Sequence, residues 1–267
     1  CPAHDDRTPS LSIQLGEKAI LFHCFAGCTN EEVLAALAQQ GTQASTLFGK
    51  GSGPRESSSL ERSPSGRAAL ALWHSAKPLW GSPAKAYLEA RGITAASPQL
   101  RYHRRTPRGR GTEVAHYPAM IAAVSLDEGP IAIHRTFLNL ESGSVDTVPL
   151  ARMALGQLGQ AAVRLFEPKN GELGLAEGIE TAMAARALTG IPVWAVLSAS
   201  RLGRVAIPDT VTKLHLFIDF DDAGTKASER GVASYEKEGR DISIRKPPKV
   251  GQDWNDRLIS WRATKEQ

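Results

Sequence analysis

Three carboxylates follow a run of apolar residues in the stretch LHLFIDFDDAG, residues 214–224. The apolar run is typical of a buried strand in a parallel sheet, and its end carries Asp219, Asp221 and Asp222. Because side chains along a strand repeat with a period of two, Asp219 and Asp221 should point to the same side. Two anions that close repel each other unless a cation lies between them, so the pair predicts a divalent-metal site.

A glutamate ends a second, upstream strand. Residues 173–176 are apolar and run into Glu177 and Gly178, after which a helix is predicted. The carboxyl ends of parallel strands meet at one edge of an α/β sheet, so we expect Glu177 to lie beside Asp219 and Asp221. Carboxylate oxygens are ligands for Mg²⁺ or Mn²⁺, and the three residues therefore predict such a site at this edge.

These two strand ends carry a family resemblance. The segment LAEGIETAMAA, followed by FIDFDDAG, resembles the Toprim domain of bacterial primases, topoisomerases and some nucleases. The resemblance implies that Glu177, Asp219 and Asp221 are the catalytic carboxylates, with Glu177 either bridging metal ions or acting as the base. An acidic residue is often found four places after the glutamate in that family, but this chain has Thr181 there, with Glu180 beside it.

Four residues near the N-terminus have the types and spacing of a zinc site. They are Cys1, His4, Cys24 and Cys28. Three thiolates and one imidazole suit tetrahedral Zn²⁺. A hairpin is predicted over residues 11–15 and 19–23, which places the two ligand pairs at adjacent strand ends. The second pair is separated by three residues, and His23 is an alternative ligand.

The segments CPAHDDRTPSLSI and FHCFAGC resemble the CHC2 zinc finger at the start of bacterial primases, where the second pair is usually separated by two residues. The resemblance implies a structural zinc and a role in holding single-stranded template. A helix follows over residues 29–40, with Thr29 and Glu32 as its capping box.

Composition divides the chain into four segments. Residues 49–66 are rich in Gly, Ser, Pro and charge, and such a run cannot bury enough apolar surface to fold, so a flexible linker is predicted there. The predicted domains are a zinc-binding domain over residues 1–48, the linker, the first part of a polymerase core over 67–170, and a Toprim domain over 171–267.

Five arginines fall within ten residues of the middle segment, in a chain whose net charge is only +4. They are Arg101, Arg104, Arg105, Arg108 and Arg110. We expect them on a loop that binds the backbone of a polyanion, with Tyr102 available to stack on a base.

Helices over residues 67–77 and 82–91 and strands over 119–126 and 131–138 make the middle segment a mixed α+β unit. Its stretches PAMIAAV and AIHRTFL are similar to the segment before Toprim in plasmid- and phage-type primases. The resemblance makes Arg135 and Arg152 candidates for phosphate or template contacts; the alternative is that both are surface arginines.

The fold class is therefore α/β and multidomain: a zinc ribbon, a linker, a mixed α+β segment, and a small, mostly parallel sheet with helices on both faces. Beyond the last predicted strand, at 242–245, Asp253 and Asp256 either cap the final helix or reach the site as outer acids. Asp253 is thus a tentative additional metal ligand.

The bulk composition is that of a globular protein. The chain is 42% hydrophobic and 22% charged. Its sequence contains no apolar run long enough to span a membrane and no signal-peptide pattern. All three cysteines lie in the first 28 residues, which favours a metal site in a reducing cytoplasm over a disulfide framework. Because the chain starts at Cys1, we expect its natural N-terminus to be missing.

The hypothesis that unites these features is a cytoplasmic DNA primase of a plasmid, phage or integrative element. It would make short RNA primers on single-stranded DNA from nucleoside triphosphates by two-metal nucleotidyl transfer. No P-loop motif occurs, so a helicase would be a separate partner. The alternatives are a Toprim metal-dependent nuclease and a non-catalytic, zinc-dependent module that binds single-stranded DNA.

Overall fold

The computed structural model divides the chain into two compact units, Cys1–Pro54 and Arg55–Gln267, which are described separately. The described residues are 1–4, 10–15, 20–24, 26–39, 63–109, 113–140, 144–145, 151–220, 222–236 and 239–265. Most of the predicted linker, residues 49–62, lies outside them. None of the described helices is both long and apolar enough to cross a membrane.

The first unit contains an antiparallel hairpin and one helix. Strands β1 (Leu11–Leu15) and β2 (Ile20–Cys24) pair so that Leu11 is opposite Cys24. The second strand therefore includes Cys24 itself, one residue beyond the predicted end. Helix α1 (Asn30–Gln39) begins with the predicted capping box, in which the amide of Thr29 donates to Glu32 Oε2 at 2.8 Å.

The second unit begins with an antiparallel sheet and two helices. Its elements are α2 (Pro64–Ser75), β3 (Lys77–Pro78), α3 (Pro83–Ala90), β4 (Leu100–Arg108), β5 (Ala115–Leu126), β6 (Gly129–Asn139), β7 (Ser144–Val145) and β8 (Arg152–Leu155). The strand order is β3-β4-β5-β6-β7, and β8 also pairs with β6. Serine hydroxyls cap both helices, Ser63 on α2 and Ser82 on α3. Helix α2 begins at Pro64, within the end of the predicted linker.

The expected basic loop is strand β4, so that expectation was wrong. The strand pairs with β5 along its length, apart from a register shift between His103 and Thr106. The shift places Arg104 and Arg105 at a bulge, where both are exposed. Pairing with β5 supplies hydrogen-bond partners for the backbone N–H and C=O groups of this basic segment. Composition alone does not reveal that pairing.

A four-stranded parallel sheet forms the C-terminal part. Its elements are β9 (Glu172–Ala176), α4 (Ile179–Thr189), β10 (Val193–Ala195), β11 (Lys213–Phe217), α5 (Asp222–Tyr235), β12 (Asp241–Arg245) and α6 (Trp254–Lys265). The strand order is β10-β9-β11-β12, with all three pairings parallel. Helix α4 ends at Gly190, whose φ of 77° is favourable only for glycine. The predicted α/β fold class is confirmed.

The two parts of this unit share one hydrophobic core. A single buried cluster contains Leu88 and Leu100 from the antiparallel part and Ile179, Met183 and Leu258 from α4 and α6. A second cluster covers the other face of the parallel sheet and includes Tyr235 of α5. The predicted boundary near residue 170 therefore divides two sequence segments that pack together.

Candidate active site

Glu177 is the first residue after strand β9. Its carbonyl accepts a hydrogen bond from the amide of Leu197, which extends the pairing of β9 with the chain after β10. Gly178 is the N-cap of helix α4 and makes no side-chain cap. The Glu177 side chain is exposed, so its carboxylate is accessible from solvent.

Asp219 lies two residues after strand β11, which ends at Phe217. The predicted strand was longer, so the period-of-two argument for Asp219 and Asp221 does not apply. The backbone of Phe220 instead pairs with the loop before α6: its amide donates to Gln252 at 3.3 Å and its carbonyl accepts from Gly251 at 2.9 Å. Asp221 lies outside the described residues.

Glu177 and Asp219 line one cavity of about 230 Å³, and Asp253 lines it too. The side chains that complete its wall include Arg91, His134, Arg152 and Glu180. The ends of β9 and β11 therefore bring Glu177 and Asp219 to one cavity, and their role as metal ligands there stays a prediction. Their carboxylate oxygens, with that of Asp253, are the donors that Mg²⁺ or Mn²⁺ prefers.

Asp253 both caps the final helix and lines the cavity, which the sequence had left as alternatives. Its Oδ1 accepts a hydrogen bond from the amide of Asp256 at 2.7 Å, so it caps helix α6. Its side chain also lines the cavity beside Asp219. Asp256 is exposed and belongs to the cap, since its carboxylate accepts from the Asp253 amide at 3.5 Å.

Two arginines form a cationic wall of the same cavity. Arg152, a predicted contact, is one of them, and its side chain keeps 46% of its exposed surface. Arg91 is the other, and sequence reasoning did not identify it. Its Nη1 donates to Asn255 Oδ1 at 3.4 Å, while Asn255 Nδ2 donates back to the Arg91 carbonyl at 2.8 Å. The contact with α6, 164 residues away, has no signal in the local sequence.

Glu180 and His134 are further residues of this wall that were not predicted as part of the site. Glu180 is 7% exposed and accepts hydrogen bonds from Tyr87 and Arg152. His134 is 8% exposed, and burial lowers its pKa to about 4, so the imidazole is neutral at pH 7. The only sequence signal for Glu180 was its place beside Thr181, where a helper acid is often found.

Some of the arginines predicted to contact nucleic acid are exposed, and others contact aromatic rings of the protein. Arg104 and Arg105 are exposed on the bulge, whereas Arg110 lies outside the described residues. Arg101 stacks on Trp73, with its guanidinium carbon 4.1 Å from the ring centroid. Arg108 lies 5.4 Å from the Tyr117 ring centroid. Tyr102, expected to stack on a base, packs partly buried against the core.

Arg135 requires a correction. It is 6% exposed, and its two Nη atoms donate to the carbonyls of Pro107 and Ala154 at 2.6 and 3.0 Å. Burial lowers its pKa as well. A guanidinium that holds β4 and β8 together in this way is not available to a phosphate, and we remove Arg135 from the candidate contacts.

The four predicted zinc ligands of the first unit come together. The ligand atoms of Cys1, His4, Cys24 and Cys28 all lie within 4.8 Å of one another, with His4 Nδ1 3.1 Å from Cys28 Sγ. Ser10 Oγ lies 3.3 Å from His4 Nε2, so the imidazole has a second partner that orients the ring. The side chain of His23 lies outside the described residues.

The thiols of this cluster differ in their acidity. Burial by itself raises the pKa of Cys24, but hydrogen bonds from the Cys28 and Ala26 amides and from Ser10 outweigh it and lower the pKa to about 7. Burial and the neighbouring Cys24 thiolate raise the pKa of Cys28. The donor set fits a thiolate-binding metal, because a cation would favour the deprotonated form of both. Among the described residues, no second cluster of three or more Cys, His, Asp or Glu has such spacing.

Comparison with protein families assigns both parts of the second unit. Residues 172–262 match the Toprim domain, and residues 63–165 match a domain of unknown function (DUF7146). Comparison with curated proteins finds no significant match.

Solved structures with the same fold are bacterial primase domains. The primase of Aquifex aeolicus, in its zinc-binding and RNA polymerase domains, is 17% identical with a TM-score of 0.53, over 100% of this chain and 75% of that chain. A DNA primase domain from Pseudomonas aeruginosa is also 17% identical, with a TM-score of 0.50, over 76% of this chain and 78% of that chain.

The C-terminal part is thus a Toprim domain, with Glu177 and Asp219 at the carboxyl edge of its sheet. The chain has the fold of DnaG-type primase domains.

Proposed function

We propose that this protein is a DNA primase, a nucleotidyltransferase that makes short RNA primers on single-stranded DNA. The observation that carries the proposal is the shared cavity, which is lined by the acids Glu177 and Asp219 and by the arginines Arg91 and Arg152. A nucleoside triphosphate bound with a divalent cation carries both charges that such a cavity recognises: the cation suits the acids, and the phosphates suit the arginines.

Glu177 and Asp219, together with Asp221, would hold Mg²⁺ or Mn²⁺. When bound, the ions lower the pKa of the attacking 3′-hydroxyl and stabilise the charge on the leaving pyrophosphate. Asp253 supports the site from the first turn of α6, where its cap fixes the carboxylate. Arg152 and Arg91 orient the phosphates of the incoming nucleotide.

The remaining predicted parts complete the proposal. Arg104 and Arg105 would contact the backbone of the single-stranded template, since both are exposed on the bulge of β4. Zn²⁺ would be held by Cys1, His4 and the two hairpin cysteines, as a structural ion of a template-binding unit. A replicative helicase would be a separate partner.

The test is incubation with defined single-stranded templates, Mg²⁺, and either ribo- or deoxynucleotides. We expect short RNA products that depend on template and on Mg²⁺. Degradation of the template would favour the Toprim nuclease, and a mobility shift without products would favour the non-catalytic binding module. Either of these results would contradict the proposal.

A further inference from the structure

A hydrogen-bonded group at the cavity joins three elements, and two of its members, Glu180 and Arg152, line the cavity. The Tyr87 hydroxyl on α3 donates to Glu180 Oε1 on α4 at 2.5 Å. Arg152, at the start of β8, brings Nη2 to 3.1 Å from the same oxygen and to 3.4 Å from the tyrosine oxygen. Tyr87 is 1% exposed and Glu180 is 7% exposed, so both polar groups depend on these partners.

The charges of the group are set by its contacts. Burial by itself raises the pKa of Glu180, but the Arg152 guanidinium and the Tyr87 hydroxyl together outweigh it and hold the pKa below its ordinary value. Burial and the neighbouring carboxylate raise the pKa of Tyr87. At neutral pH the group is therefore one anion, one cation and a neutral hydroxyl.

The geometry directs Arg152 toward the cavity. Both of its contacts to the group use Nη2, and a guanidinium has five N–H donors, so Nη1 and Nε keep theirs for another partner. Glu180 is buried, so surrounding atoms restrict its side chain. Arg152, which contacts it, lines the same cavity as Glu177. An arginine anchored through one nitrogen presents the others in a defined direction.

The aromatic ring of Tyr87 contacts a second arginine, Arg91. The guanidinium carbon of Arg91 lies 5.1 Å from the ring centroid, and Arg91 lines the same cavity. Cation–π contact with a buried ring restricts the side chain of Arg91. One tyrosine thus contacts both cations of the wall, Arg152 through its hydroxyl and Arg91 through its face.

We propose that Tyr87 and Glu180 are positioning residues, which hold Arg152 and Arg91 in place for the phosphates of an incoming nucleoside triphosphate. The inference rests on the proposed function, since it assigns the cavity to that substrate. It also separates Glu180 from the metal-binding acids: Glu180 faces the guanidinium of Arg152 and the Tyr87 hydroxyl, and it acts through them.

The experiment is a double-mutant cycle on ATP binding in the presence of Mg²⁺, measured by titration calorimetry without DNA. We expect Arg152→Ala and Glu180→Gln each to weaken binding about tenfold, because each removes a charge-assisted contact. Because Arg152 is the cation that Glu180 contacts directly, Glu180→Gln should weaken binding much less in the Arg152→Ala background than in wild type. Additive losses in the double variant would mean a general structural role and would overturn the inference.

Tyr87→Phe is the second variant, since it removes one hydroxyl and keeps the ring beneath Arg91. We expect it to weaken ATP binding less than Glu180→Gln does, because Arg152 still contacts the Glu180 carboxylate when the hydroxyl is lost. Asp127→Asn is the matched control, because it breaks the ion pair with Arg164 away from the cavity. Unchanged ATP affinity in both Tyr87→Phe and Glu180→Gln would overturn the positioning role.

Primer synthesis is measured separately, so that the two proposals can fail separately. ATP binding with the expected coupling but without primer synthesis would overturn the primase and keep the positioning role. Primer synthesis with additive losses of ATP binding would keep the primase proposal and overturn the positioning role. Absence of ATP binding by the wild-type protein would overturn both.

Discussion

Trp254 Nε1 donates a hydrogen bond to the carbonyl of Ile218 at 3.2 Å. Ile218 immediately precedes Asp219, and Trp254 immediately follows Asp253, so the bond ties together the backbone that carries two acids of the cavity. The indole also packs edge-to-face on Phe217, with ring centroids 5.0 Å apart. The last helix is therefore part of the scaffold of the candidate site.

Trp254→Phe should lower stability by about 1–2 kcal/mol, because it keeps most of the ring but leaves the buried Ile218 carbonyl without its donor. Denaturant unfolding checks the change. Trp80→Phe is the control, since Trp80 is 81% exposed and its substitution should leave the midpoint unchanged. Equal unfolding midpoints for the Trp254 variant and wild type would show that the bond does not stabilise the fold.

Asp219→Ala should abolish primer synthesis and leave DNA binding nearly intact, because it removes a proposed metal ligand and no proposed DNA contact. Primer synthesis is followed on a gel, and binding by fluorescence anisotropy. Asp209→Ala provides a control on the fully exposed surface of the same domain and should retain activity. Substantial synthesis by Asp219→Ala would exclude this residue as an essential ligand.

Cys24→Ser should release the proposed zinc and weaken template binding, since one thiolate of the four-residue cluster is lost. Because the second compact unit has its own hydrophobic core, its thermal transition should stay within about 2 °C of wild type. Metal analysis and calorimetry check the two parts. Retention of a full equivalent of zinc would contradict the ligand assignment.

Replacing Arg104 and Arg105 by alanine should weaken binding to all single-stranded sequences alike. The salt dependence should also become shallower, because fewer counterions are released when fewer phosphates are neutralised. Arg101→Ala is the contrasting variant: its side chain stacks on Trp73, so it should lower stability more than affinity. An unchanged salt slope after removal of both exposed arginines would contradict a phosphate contact.

His134 should make stability depend on pH between about 6.5 and 4. Burial, with a smaller contribution from the Arg152 and Arg135 charges, lowers its folded pKa to about 4 from an ordinary 6.5. The unfolded chain therefore binds a proton in this window while the folded chain does not, so stability falls as pH falls, by up to about 3 kcal/mol.

Thermal unfolding across this pH range should be less steep for His134→Gln than for wild type. His74→Gln is the control, because His74 is exposed and does not line the cavity. Identical pH profiles for His134→Gln and wild type would show that this histidine is not the source of the dependence.

Local sequence patterns were sufficient to predict the candidate site residues that directly follow a strand. Glu177 follows an apolar strand, Asp219 follows another, and parallel strands of one sheet end at the same edge, so their meeting follows from topology. Cys1, His4, Cys24 and Cys28 were likewise predictable, because metal-ligand spacing across a hairpin is a local property.

The same reasoning did not predict which arginines are available. Arg104 and Arg135 carry the same charge, yet Arg104 is exposed on a bulge and Arg135 is buried between strands. The extent of β4 was also missed, since its composition, with four arginines in nine residues, is typical of a loop and only pairing with β5 makes it a strand.

By itself, the sequence determined the α/β class, and it singled out as candidate ligands Glu177 and Asp219 at two strand ends and four Cys and His residues near the N-terminus. The reason is that residue type and short spacing specify these features. Only the tertiary structure decided that the Tyr87 hydroxyl donates to Glu180, 93 residues further along the chain, and that Arg91 and Arg152 line the same cavity. Contacts between distant segments depend on how whole elements pack in a shared core, and no local periodicity records that packing.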